Sequence, residues 1–122
     1  MKINLKGTNI ELTPSISEYL DKRLEGVEKF IPEEKTYIAD VELGKTTNHH
    51  QAGDIFRAEI NIHIGSRSFR AVSEQQDLYS AIDDMKSEIT RELGVDKDRK
   101  ISFLRRGGQK LKNFIRGIKS DA

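Results

Sequence analysis

The chain has 122 residues and a formal net charge of +1, from 21 basic and 20 acidic residues. This length favours a single domain, and the absence of cysteine excludes disulfides and thiolate metal sites. Because no apolar run is long enough for a signal-peptide core or a membrane span, we expect a cytoplasmic protein without a membrane partner.

The N-terminal quarter of the chain predicts a strand followed by a helix. In KINLKG, Ile3 and Leu5 alternate with polar residues, which is typical of a half-buried strand. Further along, Pro14 fits the first turn of a helix, and Ser15 with Glu18 has the spacing of a capping box. Apolar residues at three- and four-residue steps predict the buried stripe of this helix: Ile16, Leu20, Leu24, Val27 and Ile31.

The middle of the chain predicts three more strands. One is TYIADVELGK, and two lie within IFRAEINIHIGSRSFRAV, joined around Gly65 and Ser66. Their regular alternation indicates a sheet with one covered face. The residues predicted to face inward are Tyr37, Ala39, Val41, Leu43, Phe56, Ala58, Ile60, Ile62, Ile64, Phe69 and Ala71.

The segment SEQQDLYSAIDDMKSEITRELG predicts a second helix. Ser73 and Gln76 have capping-box spacing, and Gly94 is a natural stop. The predicted buried stripe consists of Leu78, Ile82, Met85, Ile89 and Leu93.

Together these elements predict the order β-α-β-β-β-α. This is an α+β fold, with a four-stranded mixed sheet and two helices packed on one face. We expect the folded domain to cover residues 1–95. Residues 96–122 add no core positions and are predicted to form a basic, partly amphipathic C-terminal tail.

The charges of the chain are divided between body and tail. Residues 1–96 sum to −6, whereas residues 97–119 sum to +8. Such a basic run is often only a solvated, disordered end. Here apolar residues are interleaved from Leu111 onward, so the segment could form a short amphipathic helix on contact with a partner. The pattern predicts an anionic partner, and by itself leaves RNA, an acidic protein and a membrane surface open.

Catalytic and metal-binding patterns are not evident in the sequence. His49 and His50 fall in a predicted loop, and His63 lies on the outer face of a strand with no obvious carboxylate partner. Asp83 and Asp84 are adjacent on a helix and point in different directions, which makes a poor acid/base pair. We therefore expect no enzyme, no metal, no cofactor and no small-molecule substrate.

Two segments resemble the ribosome hibernation-promoting factor family, which is also called the ribosome-associated inhibitor or ribosomal subunit interface protein family. They are ELTPSISEYLDKRLEGVEKF and FRAVSEQQDLYSAIDDMKSEITREL, and the resemblance covers about residues 1–95. The most specific features are the T-P helix start, the R-L-x-x-x-E-K-aromatic run that ends in Phe30, and D-L-Y-x-A-I-D at residues 77–83. The resemblance implies the same fold that the periodicity predicts.

The resemblance also implies a function. It implies that the protein binds the small ribosomal subunit near the decoding centre, where tRNA and mRNA would lie, and silences idle ribosomes under stress or in stationary phase. Inhibition would be by occupancy, with no bond made or broken. The chain is similar to the short members, which lack the second domain that pairs ribosomes, and we expect it to be monomeric when free.

Basic side chains are the expected contacts to ribosomal RNA phosphates. The resemblance places Arg23, Lys29 and Arg91 at matching positions, although composition alone would equally allow ordinary solvated helix charges. Glu88 stands where many members carry lysine, so we expect the tail to take over part of the contact. The predicted RNA-binding residues are Lys22, Arg23, Lys29, Lys86, Arg91, Lys97, Arg99, Lys100, Arg105, Arg106, Lys110, Lys112 and Arg116.

Two other interpretations of the sequence stay open. One is a general double-stranded RNA-binding module, since a sheet with two helices is shared with that architecture. The other is a protein-interaction regulator, whose acidic body binds a protein while its basic tail binds an acidic surface.

Overall fold

The computed structural model describes residues 2–32, 36–47 and 53–95. The elements are β1 (Lys2–Thr8), α1 (Pro14–Glu28), β2 (Tyr37–Thr47), β3 (Asp54–Ile64), β4 (Arg67–Gln75) and α2, which covers residues 78–95. This order confirms the predicted β-α-β-β-β-α fold. The predicted tail lies outside the described residues.

The four strands form one mixed sheet in the order β1-β2-β3-β4. The pair β1 and β2 is parallel, so it needs the crossover that α1 supplies, whereas the two following pairs are antiparallel. The β3–β4 turn lies at Gly65 and Ser66, as predicted. Gly65 has a φ of 60°, which a hairpin turn of the primed types requires at its first central position and which glycine adopts without strain.

The core lies between the inner face of the sheet and the two helices. The predicted helix stripes are confirmed, because Leu20, Leu24, Ile82, Met85 and Ile89 are all 0% exposed. Each large apolar side chain that is fully buried contributes about 1.5–3 kcal/mol to the free energy of folding. The strand positions that were predicted to face inward belong to the same apolar cluster or pack against it.

The predicted cap of α1 was wrong. The N-cap is Thr13, whose Oγ1 accepts a hydrogen bond from the backbone N–H of Ile16 at 3.3 Å, and Pro14 follows at the first helical position. Ser15 is therefore already inside the helix. The physical reason is Pro14, which disfavours helical backbone at the residue before it and so leaves Thr13 in an extended conformation.

The predicted boundaries of α2 were also wrong. Ser73 is buried in β4 and its hydroxyl donates to Asp84 at 2.6 Å, so it cannot cap the helix. Asp77 does so instead, because its carboxylate accepts from the backbone N–H of Ser80 at 2.9 Å. At the other end the helix continues through residue 95, and Gly94 does not take the left-handed conformation that would stop it.

Candidate nucleic-acid interface

The two helices lie side by side and run in the same direction. Tyr19 contacts Tyr79, and Arg23 contacts Asp83, so the paired residues are each 60 positions apart. This follows from the topology, since β1 and β4 run in the same direction and each is followed by a helix that returns across the sheet. We call this line of contact the interhelix seam; its residues are Tyr19, Arg23, Gly26, Phe30, Tyr79, Asp83, Lys86 and Gly94.

A hydrogen-bonded cluster fixes Arg23 at the centre of the seam. Its Nε donates to Oδ1 of Asp83 at 2.7 Å, and its Nη2 donates to the hydroxyl of Tyr19 at 2.9 Å. The Tyr19 hydroxyl donates in turn to the same Asp83 oxygen at 2.6 Å. The guanidinium carbon also lies 4.6 Å from the centroid of the Tyr19 ring, which is cation–π geometry. These contacts hold Arg23 in one orientation while leaving 42% of its side chain exposed.

The electrostatics of this cluster keep both partners charged. Burial acts to raise the pKa of Asp83, but hydrogen bonds from Tyr19 and Arg23 outweigh it and hold the pKa of that carboxyl below its ordinary value. The hydrogen bonds to Tyr19 and Asp83 raise the pKa of Arg23. Arg23 is therefore a fixed donor, with N–H groups left over for an outside acceptor.

Lys86 lies across the seam beside this cluster. A Cβ atom at Gly26 would come within 3.2 Å of Cε and 3.4 Å of Nζ of Lys86, so the absent side chain of Gly26 makes room for the lysine. The charge of Lys86 is close enough to Asp83 to contribute to the lowered pKa of that carboxyl. The seam thus brings a second cation next to Arg23.

The exposed lysines of α1 extend this basic surface. Lys22 and Lys29 are neighbours of Gly26 at helical spacings of four and three, so both stand beside the seam, and both are exposed. Two acidic residues of α1, Asp21 and Glu28, lie on the side opposite the seam, since helical residues turn by about 100° each. By contrast, Glu18 and Glu25 lie four residues before Lys22 and Lys29 and border them.

The acids of α2 also lie away from the seam, except Asp83. Asp84 accepts hydrogen bonds from Ser73 and Gln75 of β4, so it is directed toward the sheet rather than α1. Glu88 and Glu92 follow Asp84 at four-residue steps, in the same row of the helix. Asp83 is therefore the one acid among the seam residues, and it is already paired with Arg23.

The structure brings together four of the predicted RNA-binding residues, which are Lys22, Arg23, Lys29 and Lys86. Arg91 lies apart from the seam and pairs with Glu88 at 2.6 Å. The remaining predicted residues lie outside the described part of the chain: Lys97, Arg99, Lys100, Arg105, Arg106, Lys110, Lys112 and Arg116.

Sequence reasoning missed the partners that organise this face. Tyr19, Tyr79 and Asp83 were not among the predicted site residues, although two of them belong to the D-L-Y-x-A-I-D run. The prediction that Asp83 and Asp84 point in different directions is confirmed, because one contacts α1 and the other contacts β4.

The outer face of the sheet is polar and balanced in charge. His63 does have a carboxylate partner, contrary to expectation: its Nε2 lies 3.4 Å from Asp40, and its Nδ1 lies 2.9 Å from the Ser68 hydroxyl. The partner was missed because Asp40 is reached diagonally across the β2–β3 pairing. Glu59 is likewise paired, with Arg57 and Arg70 at 3.4 and 3.3 Å. This face therefore offers little unbalanced charge.

Neither a metal-binding cluster nor a membrane-spanning helix occurs within residues 2–32, 36–47 and 53–95. Those residues contain no group of three or more histidine, cysteine, aspartate or glutamate side chains that could hold a metal ion. Among the same residues, neither helix is long and apolar enough to cross a membrane.

Comparison with known proteins identifies the family. A family model described as "Sigma 54 modulation protein / S30EA ribosomal protein" matches residues 3–101. The ribosome hibernation promoting factor of Klebsiella oxytoca is 26% identical over 99 residues, which cover 81% of this chain and 96% of that protein. The ribosome hibernation promotion factor of Picosynechococcus sp. is 30% identical over 99 residues, so this chain spans 50% of that relative.

Solved structures show the same fold. The N-terminal domain of Protein Y from Thermus thermophilus aligns with a TM-score of 0.63 and 30% identity, over 76% of this chain and 96% of that one. A ribosomal subunit interface protein from Coxiella burnetii aligns with a TM-score of 0.64 over 80% of this chain and 99% of that one, and its 17% identity supports the fold alone. The chain therefore belongs to the sigma 54 modulation protein / S30EA ribosomal protein family, which confirms its resemblance to the ribosome hibernation-promoting factors.

Proposed function

We propose that this protein is a ribosome hibernation factor that binds the small ribosomal subunit near the decoding centre and keeps tRNA and mRNA out. Family membership and the names of the relatives support ribosome hibernation as the process and the ribosome as the partner. The observation that carries the proposal is the cationic seam, which gathers Lys22, Arg23, Lys29 and Lys86 on one face of a domain with a net negative charge.

The proposed mechanism is inhibition by occupancy. The lysines beside the seam neutralise RNA phosphates and release counterions, which supplies affinity that falls as salt rises. The rigid pair of helices supplies the shape that fits one RNA cavity and not another. Asp21, Glu28, Asp84, Glu88 and Glu92 lie away from the seam, so much of the negative charge of the two helices is remote from this approach. Such a factor acts in the cytoplasm, where ribosomes are.

Co-sedimentation with purified subunits tests the target. We expect the protein to sediment with small subunits and not with large subunits, and to be released progressively between about 50 and 200 mM salt. Prebound tRNA and mRNA should compete with it if the site is the decoding centre. Binding to large subunits alone, or binding that tRNA and mRNA leave unchanged, would contradict the proposed site.

The same assay separates this function from general duplex binding. A plain RNA duplex, added in excess over ribosomes, should leave the sedimenting fraction unchanged if the protein reads a ribosomal cavity. Release of the protein by the duplex would instead favour a general double-stranded RNA-binding module.

The basic tail is proposed as a second ribosomal contact. Residues 97–119 carry a net charge of +8, and deleting residues 97–122 should weaken binding and flatten its salt dependence. A matched control keeps the length but removes charge, with Arg105, Arg106, Lys110 and Lys112 replaced by glutamine. Both variants should lose affinity if charge is the cause. Unchanged affinity of both variants would show that the tail does not contribute to binding and that the seam makes the whole contact.

A further inference from the structure

Tyr79 is a seam residue that phosphate binding alone does not explain. It lies in the first turn of α2, and 38% of its surface is exposed. Its ring packs against Tyr19 with the centroids 4.7 Å apart and the planes at 85°. Such an edge-to-face contact covers at most one face of the Tyr79 ring. The other face is therefore free of Tyr19.

The support behind Tyr79 is rigid. The hydroxyl of Tyr19 donates to Asp83 at 2.6 Å and accepts from Arg23 at 2.9 Å, so the Tyr19 ring is held at both its edge and its face. A single exposed aromatic residue is normal on a protein surface. Tyr79 is different, because its ring packs against a second ring that is itself held in place. The Tyr79 side chain therefore loses little conformational entropy when a ligand binds.

Cations follow Tyr79 along the seam, and a second exposed aromatic residue ends it. Arg23 packs on the ring of Tyr19, and Lys86 lies further along the seam, against Gly26. Phe30 is 36% exposed at the far end, against Gly94. From Tyr19 to Glu28, the last residue of α1, the helical rise amounts to about 14 Å, and Phe30 follows two residues later. Alternation of aromatic faces with basic groups along a groove is the arrangement by which proteins bind single-stranded RNA, with bases stacked and phosphates neutralised.

We propose that Tyr79 is a stacking platform for an unpaired RNA base, with Arg23 and Lys86 holding the phosphates beside that base. This inference rests on the proposed function and deepens it, since it names unpaired nucleotides as what the seam recognises. A base inside a duplex is stacked on both sides and has no face to offer, whereas a base in a loop or at a strand end does.

Tryptophan fluorescence tests the stacking directly. The chain contains no tryptophan, so Tyr79→Trp introduces a sole reporter that retains a large ring. Small subunits should quench this reporter, because a base stacked on an indole quenches its emission. The matched control is Val72→Trp on the outer face of the sheet, where the native residue is 37% exposed, and this reporter should not respond. Quenching at both positions, or at neither, would overturn the inference.

Affinity for small subunits gives the second readout. Tyr79→Leu removes stacking while keeping an apolar side chain against Tyr19, and it should weaken binding about tenfold. The slope of affinity against salt should stay unchanged, since no ion pair is lost. Tyr79→Phe retains the aromatic ring and should bind more tightly than Tyr79→Leu. Equal affinity of Tyr79→Leu and the natural chain would overturn the inference alone, whereas failure of the natural chain to bind would overturn the proposed function.

Discussion

At the scale of single residues, Arg23 differs from Lys22 and Lys29, because its guanidinium is already paired with a carboxylate of the protein. Its contacts to Asp83 and Tyr19, at 2.7 and 2.9 Å, hold it in place, and the carboxylate cancels its charge at long range. Arg23 therefore contributes fixed, oriented N–H donors to RNA binding more than it contributes net charge. Further positive charge comes from Lys22 and Lys29, which are exposed beside it and follow Glu18 and Glu25 by four residues.

The Arg23 cluster should make the thermal stability of the protein depend on pH in the acid range. Because the pKa of Asp83 is lowered in the folded protein, the stability that this carboxylate contributes is present above its unfolded pKa of about 3.9. That contribution is lost as the pH falls through the lower, folded pKa. Thermal unfolding midpoints measured from pH 5 to pH 2 should fall more steeply for the natural chain than for Asp83→Asn.

Tyr19→Phe serves as the second variant in that experiment. It keeps the ring that packs against Arg23 and Tyr79, but removes the hydroxyl that donates to Asp83. Its acid dependence should lie between those of the natural chain and Asp83→Asn. If the unfolding midpoints of all three proteins changed with pH in the same way, the pKa of Asp83 would be the same in the folded and unfolded states. That result would contradict the prediction.

At the scale of elements, the two helices show what periodicity reveals and what it does not. The apolar stripes were predicted correctly because they depend only on spacing along one helix. The capping residue of each helix was predicted wrongly, because several residues near the start could cap and only the backbone decides among them. For α1 the deciding signal was present in the sequence, since Pro14 forces Thr13 out of the helical region.

The cap of α1 can be tested with a pair of matched variants. Thr13→Ala should lower the free energy of unfolding by about 1 kcal/mol, because the N–H of Ile16 loses its acceptor. Ser15→Ala should change it by less than about 0.5 kcal/mol, because Ser15 lies inside the helix on an exposed surface. Urea denaturation of both variants measures these values. A larger loss for Ser15→Ala would restore the capping box that the sequence suggested.

At the scale of the whole molecule, the sorting of charge decides how an acidic domain approaches RNA. The net charge of −6 over residues 1–96 is an average over two unlike surfaces. Asp21 and Glu28 of α1, and the acids of α2 apart from Asp83, are turned from the seam. The acids on the outer sheet face are paired with arginine or histidine. An approaching RNA therefore meets the cationic face as a local field rather than the average.

The candidate site could be predicted from sequence only in part. Lys22, Arg23, Lys29 and Lys86 were predicted individually, since their residue type and helical position suffice. The contact between Arg23 and Asp83 spans 60 positions, and the contact between His63 and Asp40 needs the register of two strands. Neither contact follows from a local sequence pattern, because both contacts depend on how the helices and strands pack against one another.

The most direct test of the central claim is the affinity of small ribosomal subunits for two double variants that remove the same charge. Lys22→Gln with Lys29→Gln alters the seam, whereas Lys2→Gln with Lys6→Gln alters the outer face of β1. The seam variant should bind more weakly, and its slope of log affinity against log salt should fall by about one for each lysine that contacts a phosphate. The β1 variant should bind like the natural chain. Equal affinities for the two variants would contradict the claim that the seam is the RNA-binding face.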